Sequence, residues 1–314
     1  MGDLMPKPLR IGTVCVFRYL ETFLHIIFPF LKPLFFFFKS PLDSIQIYAI
    51  HLVMNQLKMS LLSGFGLLLA SCGGDEKEAE AEVNEGRDLV MASIEAHGGL
   101  EKWYGNGQLK FRWTYHMTDR GPQAIVDTVQ TVDTKTLAVK HEVVGKDIQF
   151  GMNRGEYWIS PQDAEFNPPY QFWSLTPYYF LGIPFIFNDE SCNFEKLTEQ
   201  KEFEGKMYDQ VKITYDAGAG DSPDDYYVLL IDPETKQTRG TYYIVTNKLL
   251  GRPKVGPEKF LTLDGLTDVS GVKLATGHKT YTMTDGVIGD QLRFAEVRDV
   301  KFHPEGTVDL SVQK

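Results

Sequence analysis

Cysteine is scarce in this chain: three residues in 314, at positions 15, 72 and 192. That excludes a disulfide-stapled scaffold and a cysteine-rich metal cage. Basic side chains are outnumbered, 32 Lys and Arg against 42 Asp and Glu, for a net charge of −10. Nucleic-acid binding needs clustered cations against phosphate, so that class is excluded. The seven histidines form neither H-x-H nor H-E-x-x-H, and no G-x-S-x-G elbow, P-loop or Rossmann glycine pattern is present. The sequence therefore nominates no catalytic residue, metal site or cofactor, and the expectation is a protein that is not an enzyme. The chain has no internal repeat and no βα alternation. Its apolar run FLHIIFPFLKPLFFFF (23–38) is interrupted by Pro29, Lys32 and Pro33.

What the chain does have begins at residue 54. MNQLKMS (54–60) carries one Lys, LLSGFGLLLA (61–70) is apolar, and small residues follow. This is the layout of a secretory signal, too short to span a bilayer stably. Leu69-Ala70-Ser71-Cys72 resembles the lipobox of bacterial lipoproteins, in which the cysteine is diacylated and becomes the first mature residue. The segment 54–71 is thus expected to be a lipoprotein signal peptide, with Cys72 as the lipid attachment point. GGDEKEAEAEVNEG (73–86) is polar and acidic, so 72–86 reads as a flexible tether. Residues 1–53 precede a complete signal and are expected to be a spurious upstream extension; read as real, 23–38 would be an additional membrane helix. Setting aside residues 1–71, with six basic and three acidic side chains, leaves 39 acidic and 26 basic, a net charge of −13. Cys192 is then a lone thiol, of the kind that is usually buried and inert.

Residues 87–314 read as one β-rich domain. From Arg87 to Tyr104 the spacing is helical, with Val90, Ile94 and His97 on one stripe and a break at Gly98-Gly99. Strands follow in close succession over 110–117, 136–144, 208–215, 225–231, 240–246, 272–283 and 292–302. In the first, Phe111, Trp113, Tyr115 and Met117 share one face. The stretch 225–231 is apolar on both faces, and Asp224-Asp225 before it reads as a solvated turn. Turns fall at 232–236 and at Thr284-Asp285-Gly286, and a phase slip between Phe294 and Ala295 suggests a bulge there. One helix followed by successive antiparallel strands implies an α+β fold: an N-terminal helix packed in a large curved antiparallel sheet, a half-open β-barrel whose apolar hollow must be plugged.

YQFWSLTPYYFLGIPFIF (170–187) is too interrupted to span a membrane and too apolar to stay exposed. It reads as a short helical lid that closes the open face and buries aromatic core, or as the movable wall of an apolar pocket. On the strand side the candidate wall is Trp113 and Tyr115. On the lid side it is Tyr170, Phe172 and Trp173, then Tyr178, Tyr179, Phe180 and Phe185. His97 on the helix stripe and His141 beside Leu137 and Val139 read as satisfied core histidines.

The patterns I-x-A-H-G-G-x-x-x-W (94–103), Y-Y-F-x-x-x-P-F (178–185) with Asn188-Asp189, and Y-x-x-x-I-D-P-E-T (227–235) followed by GTYYIVT (240–246) resemble an uncharacterised family, a domain of unknown function. Its members are exported lipoproteins of Bacteroidota-type bacteria, and the resemblance spans roughly residues 84–310. More distantly, a helix followed by a curved sheet resembles outer-membrane lipoprotein carriers and receptors of the LolA/LolB type. The resemblance implies a half-barrel that holds acyl chains, and an outer-membrane lipoprotein facing the periplasm or the cell surface. Asp75, Glu76, Glu78 and Glu80 resemble a surface-export signal, although Gly73-Gly74 and Lys77 depart from it. Two functions follow: an anchored module that binds or carries a lipid or other apolar molecule, and a non-catalytic scaffold or accessory subunit of an envelope complex. The expected partners are the membrane through Cys72, an apolar ligand and an envelope protein.

Overall fold

The computed structural model describes residues 84–217, 224–246 and 257–312. Residues 1–53, the signal segment 54–71, Cys72 and the tether up to Val83 lie outside the described residues.

The helical spacing over 87–104 becomes two helices, α1 (Glu85–Ala96) and α2 (Leu100–Gly105). Asn84 starts α1 by accepting the Arg87 N–H at 2.9 Å, the usual way a polar side chain satisfies an orphan helix donor. Glu85 and Gly86, read above as tether, are therefore its first turn. Gly86 packs so closely on the backbone of Glu195 and Lys196 that a Cβ would not fit. Gly98 and Gly99 end α1 at φ of 123° and 85°. A Cβ at Gly98 would also collide with the Gly271 carbonyl, so the break is required by both conformation and packing. Val90, Ile94 and His97 are fully buried, as a stripe facing a sheet should be.

The strands are β1 (Gln108–His116), β2 (Ile125–Asp133), β3 (Val139–Val143), β4 (Gln149–Asn153), β5 (Glu156–Ser160), β6 (Cys192–Lys196), β7 (Lys201–Phe203), β8 (Lys206–Tyr215), β9 (Tyr227–Ile231), β10 (Thr238–Tyr243), β11 (Lys259–Thr262), β12 (Thr267–Val269), β13 (Val272–Leu274), β14 (Gly277–Thr284) and β15 (Val287–His303). Apart from the separate β12–β13 hairpin, all join one sheet ordered β5-β4-β3-β2-β1-β15-β14-β11-β10-β9-β8-β6, with β7 also on β8. Every pairing is antiparallel. The fold is α+β, and the sheet is open, with β5 and β6 at its two ends. Twisted sheets of this many strands curl rather than stay flat.

Chain order explains what plugs the curl. The chain leaves one edge strand, β5, and re-enters the sheet at the other edge, β6. Between them run α3 (Tyr170–Trp173), α4 (Thr176–Leu181) and a 3-10 turn, Phe185–Phe187. The aromatic segment is thus the edge-to-edge crossing. Its residues join the same apolar cluster as the inward rows of the sheet.

Strand β15 carries the irregularities, but not where its apolar phase suggested. Register shifts occur where Arg112 pairs with Arg298 after Lys110 pairs with Lys301, and again around Leu292. No bulge separates Phe294 from Ala295. Phe294 faces outward and stacks on His116 at 4.2 Å, while Ala295 and Val297 face the main core. The shift at Asp299, whose φ is 55°, moves Val300 and Phe302 to the inward side. The 272–283 stretch likewise divides into β13 and β14.

A second cluster lies on the opposite face, with Tyr208, Val228, Leu230, Tyr242, Phe260 and Met283, flanked by Phe203 of β7. Strand β9 is apolar on both faces because it serves both cores: Leu229 and Ile231 inward, Val228 and Leu230 outward. Among the described residues no helix is long and apolar enough to cross a membrane.

Candidate ligand cavity

Side-chain alternation decides what each strand shows to the hollow. On β1, Leu109, Phe111, Trp113 and Tyr115 face inward; on β9, Ile231, Leu229 and Tyr227; on β8, Val211, Ile213 and Tyr215. One end of this inner face is solid. Leu109, Phe111, Leu229 and Ile231 are fully buried there, and Trp103 of α2 stacks on Phe185 with ring centroids 4.5 Å apart and planes within 4°. The other end is not filled. A cavity of about 530 Å³ lies between the strand ends and the crossing segment, within the usual size range of ligand pockets.

Trp113 and Tyr115 form part of its sheet wall, and Phe172, Trp173, Tyr178, Tyr179 and Phe180 form its crossing wall. Trp173 lies 5.4 Å from Tyr115, and Phe180 sits edge-on to Tyr243 at 5.3 Å. The two remaining candidates lie elsewhere. Phe185 is 0% exposed in the packed end. Tyr170 borders a separate, shallower hollow of about 710 Å³ between Ile125, Val144 and Phe166 on the β2–β3 side.

Sequence reasoning missed most of the sheet wall. Tyr215, Tyr227 and Tyr243 reach the cavity from β8, β9 and β10, and Tyr227 stacks on Tyr243 at 6.2 Å. Each ends a strand whose other inward residues are apolar or small, a signal that could have marked them. Burial raises the pKa of all three phenols, as it does for Tyr178. They stay neutral donors and acceptors at any ordinary pH.

Two cations also point inward. Arg293 shares its face with Ala295, and Lys259 shares its face with Leu261; both line the cavity. Arg293 donates from Nε and Nη2 to the two carboxylate oxygens of Asp119, each at 2.7 Å. This fork pairing holds the Asp119 carboxyl below its ordinary range. Arg293 also hydrogen-bonds Tyr115, whose pKa burial raises and the guanidinium partly restores.

Asp225 was expected in a solvated turn. Instead its carboxylate accepts the N–H and the hydroxyl of Thr246, both at 2.6 Å, and burial raises its pKa. It ties the ends of the β9 and β10 strands at the cavity rim.

The crossing segment is pinned on one side by polar groups. The Ser174 carbonyl, between α3 and α4, accepts from His141 Nε2 at 2.9 Å and from Gln130 Nε2 at 3.0 Å. His141 Nδ1 in turn accepts the Thr128 hydroxyl. His97 is similarly saturated, donating from Nδ1 to the Lys273 carbonyl and accepting the Thr238 N–H at Nε2. Burial lowers the pKa of His97, His141 and His278 to about 4, so all three are neutral structural groups. The indole N–H groups of Trp113 and Trp173 have no partner among the described residues. A buried unpaired donor costs about 1–3 kcal/mol, so this wall is not built for maximal stability. Among the described residues no three His, Cys, Asp or Glu gather as a metal-binding group. Cys192 is half-buried and unpaired, and its thiol is pushed up to about 11 by burial.

No family model matches the chain, and no characterised protein matches it by sequence. Among solved structures, a LolA superfamily protein from Nitrosomonas europaea is similar over 70% of this chain and 94% of its own, at 7% identity and a TM-score of 0.44. A proposed outer membrane lipoprotein-sorting protein domain from Vibrio parahaemolyticus covers 71% and 94%, at 11% identity and a TM-score of 0.40. A DUF1329 family protein from Desulfovibrio piger covers 72% and 96%, at 8% identity and a TM-score of 0.45. Likenesses at this level leave the reading of the cavity to its own residues.

Proposed function

We propose that this protein is a lipid-anchored binding module of the bacterial envelope that holds a lipid or other apolar ligand between its sheet and the crossing segment. The observation that carries the reading is the 530 Å³ cavity, walled by aromatic rings from both sides. A chain serving only as a scaffold has no need to leave that end of its core unfilled, because filled space stabilises and empty space costs. Supporting the anchor are the signal-like run at 54–71 and Cys72 directly after it. An outer-membrane position, facing the periplasm or the surface, fits the acidic stretch that follows.

Organic extraction of the protein purified from cells should release a lipid in stoichiometric amount. A Val245→Trp variant fills the hollow from its lining and should release much less. Equal, background-level extracts from both proteins would sink the reading. For the anchor, the N-terminal mature peptide should begin at Cys72 and carry a diacylglyceryl mass, which Cys72→Ala abolishes.

One observation favours the scaffold alternative. Trp173, Tyr178, Leu181, Ile183, Phe185 and Phe187 are all buried, so much of the crossing segment is ordinary core. In-cell crosslinking that captures one defined envelope protein, with empty extracts, would select it.

A further inference from the structure

The rings at the two ends of the inner face are of different kinds. At the packed end they are phenyl and indole: Phe111, Phe185 and Trp103 have no exposed surface. Around the cavity they are mostly phenols. Eight of the thirteen tyrosines after residue 83 line it, against two of the twelve phenylalanines, Phe172 and Phe180. A phenylalanine fills space as well as a tyrosine does, and a hydroxyl inside a protein costs stability unless it is hydrogen-bonded. The tyrosines therefore set hydrogen-bonding groups around a hollow where plain rings would serve packing. Tyr115 and Tyr243 already use theirs, on Arg293 and Thr280. Tyr227 does not: burial and the nearby Asp225 and Tyr179 act on its phenol, and no hydrogen bond is among them. Its ring is fixed edge-on to Phe187 and stacked on Tyr243.

Ring faces are offered from both walls. Trp173 of the crossing segment lies against Tyr115, and Phe180 meets Tyr243 edge-on. Aliphatic lining is sparse, with Met117, Leu137, Leu175, Ile186 and Val245. Aromatic walls reward a ring that can stack or sit edge-on, whereas an acyl chain is served equally well by aliphatic ones. The lining is also balanced in charge. Arg293 is paired with Asp119, and Lys135 lies 3.2 Å from Glu305. The two other cations of the lining, Arg120 and Lys259, are equalled in number by Asp189 and Asp225. A charged group entering this hollow would lose its hydration and find no spare counter-charge.

Resting on the proposed reading of the cavity as a ligand site, we infer that the ligand is an uncharged, flat ring system carrying a hydroxyl or carbonyl oxygen, with its rings among Trp173, Phe180 and Tyr243 and its oxygen at the Tyr227 hydroxyl. The phenol can donate to a carbonyl or accept from a hydroxyl. Burial keeps it protonated at any ordinary pH.

The test titrates the purified protein with four probes, read by the fluorescence of its tryptophans: 1-pyrenylmethanol, pyrene, 1-pyrenecarboxylate and hexadecanol. The first is a flat neutral ring with a hydroxyl; the others lack the oxygen, add a charge, or replace the ring by a chain. 1-Pyrenylmethanol should saturate and bind about tenfold tighter than each of the others. Tyr227→Phe keeps the ring and removes the hydroxyl. It should weaken 1-pyrenylmethanol several-fold and leave pyrene unchanged, with the same far-UV circular dichroism as the parent protein; a purely structural role for Tyr227 would move both probes alike. Hexadecanol binding as tightly as 1-pyrenylmethanol would overturn the ring assignment and leave the apolar-ligand reading intact. Tighter binding of the carboxylate, or equal binding of pyrene and its alcohol, would overturn the uncharged or the oxygen-bearing part in the same way. An extract from the native protein whose only apolar part is an acyl chain would also overturn the ring assignment. Failure of all four probes to saturate, in protein whose extract is blank, would remove both readings.

Discussion

The two ends of the inner face are built from the same strands and behave differently. At the α1–α2 end, Leu109, Phe111, Leu229 and Ile231 meet Trp103 and Phe185 with no exposed surface. At the other end the same strands present Tyr115, Tyr227, Tyr215, Lys259 and Arg293 to a 530 Å³ hollow. The packed end has what folding requires: close-packed apolar contacts worth about 1.5–3 kcal/mol per large side chain. The hollow end gives up some of that contact and keeps polar groups inside. That division shows which residues carry the packing and which line the hollow.

Acid should damage the packed framework most. His97, His141 and His278 have folded-state values near 4 against 6.5 when exposed, so the unfolded chain binds more protons between those limits. Stability is then complete above about pH 6.5 and is lost as pH falls toward 4, by up to roughly 3 kcal/mol per histidine. Denaturant melts across that range should show it. A flat profile from pH 7 to 4.5 would contradict the neutral, buried assignment.

A smaller contrast sharpens the two-ended picture directly. Phe185→Ala removes the ring stacked on Trp103 and should cost about 3–5 kcal/mol. Phe180→Ala, at the cavity wall beside Tyr243, should cost clearly less, because the space it leaves merges with an existing hollow. Similar losses in urea titrations would mean that the two ends are equally packed.

Next in size is the Arg293–Asp119 pair. Its side chains are 13% and 28% exposed, so solvent screening keeps it modest, and Asp119→Asn should lower stability by about 1–2 kcal/mol. The smallest stability effect is expected of Lys259→Met, at the cavity lining, within about 0.5 kcal/mol in the same melts.

Much of the framework was legible in the chain because it is local. The alternation of 110–117 puts Phe111, Trp113 and Tyr115 on one face, the glycine pair ends the helix, and Asp285-Gly286 turns the last hairpin at φ of 50° and 74°. Strand β2 escaped notice because its inward residues include Thr128 and Gln130, both 0% exposed. Their burial makes sense only once the Ser174 carbonyl and His141 arrive from other elements to bond them. The bulges of β15 were misplaced for a related reason: Phe294 looked like core, but His116 on the neighbouring strand gives it an outward partner. At the site, the aromatic crossing segment stood out by composition. The strand-borne tyrosines and cations did not: Tyr215, Tyr243 and Arg293 lie 100, 128 and 178 residues beyond Tyr115 in the chain, and only the sheet register brings them to one wall.

The order of amino acids alone determined the periods: a 3.6-residue stripe in α1, a two-residue alternation in the strands, and an aromatic stretch that cannot stay in water. Those are set by backbone geometry and the cost of exposing apolar surface, which act over a few residues. Only the tertiary structure decided that this stretch would cross from β5 to β6, that Phe185 would fill one end, and that Tyr243, Lys259 and Arg293 would meet at the other. Those outcomes depend on strand order and register, which bring together residues far apart in the chain and leave no mark on the local pattern.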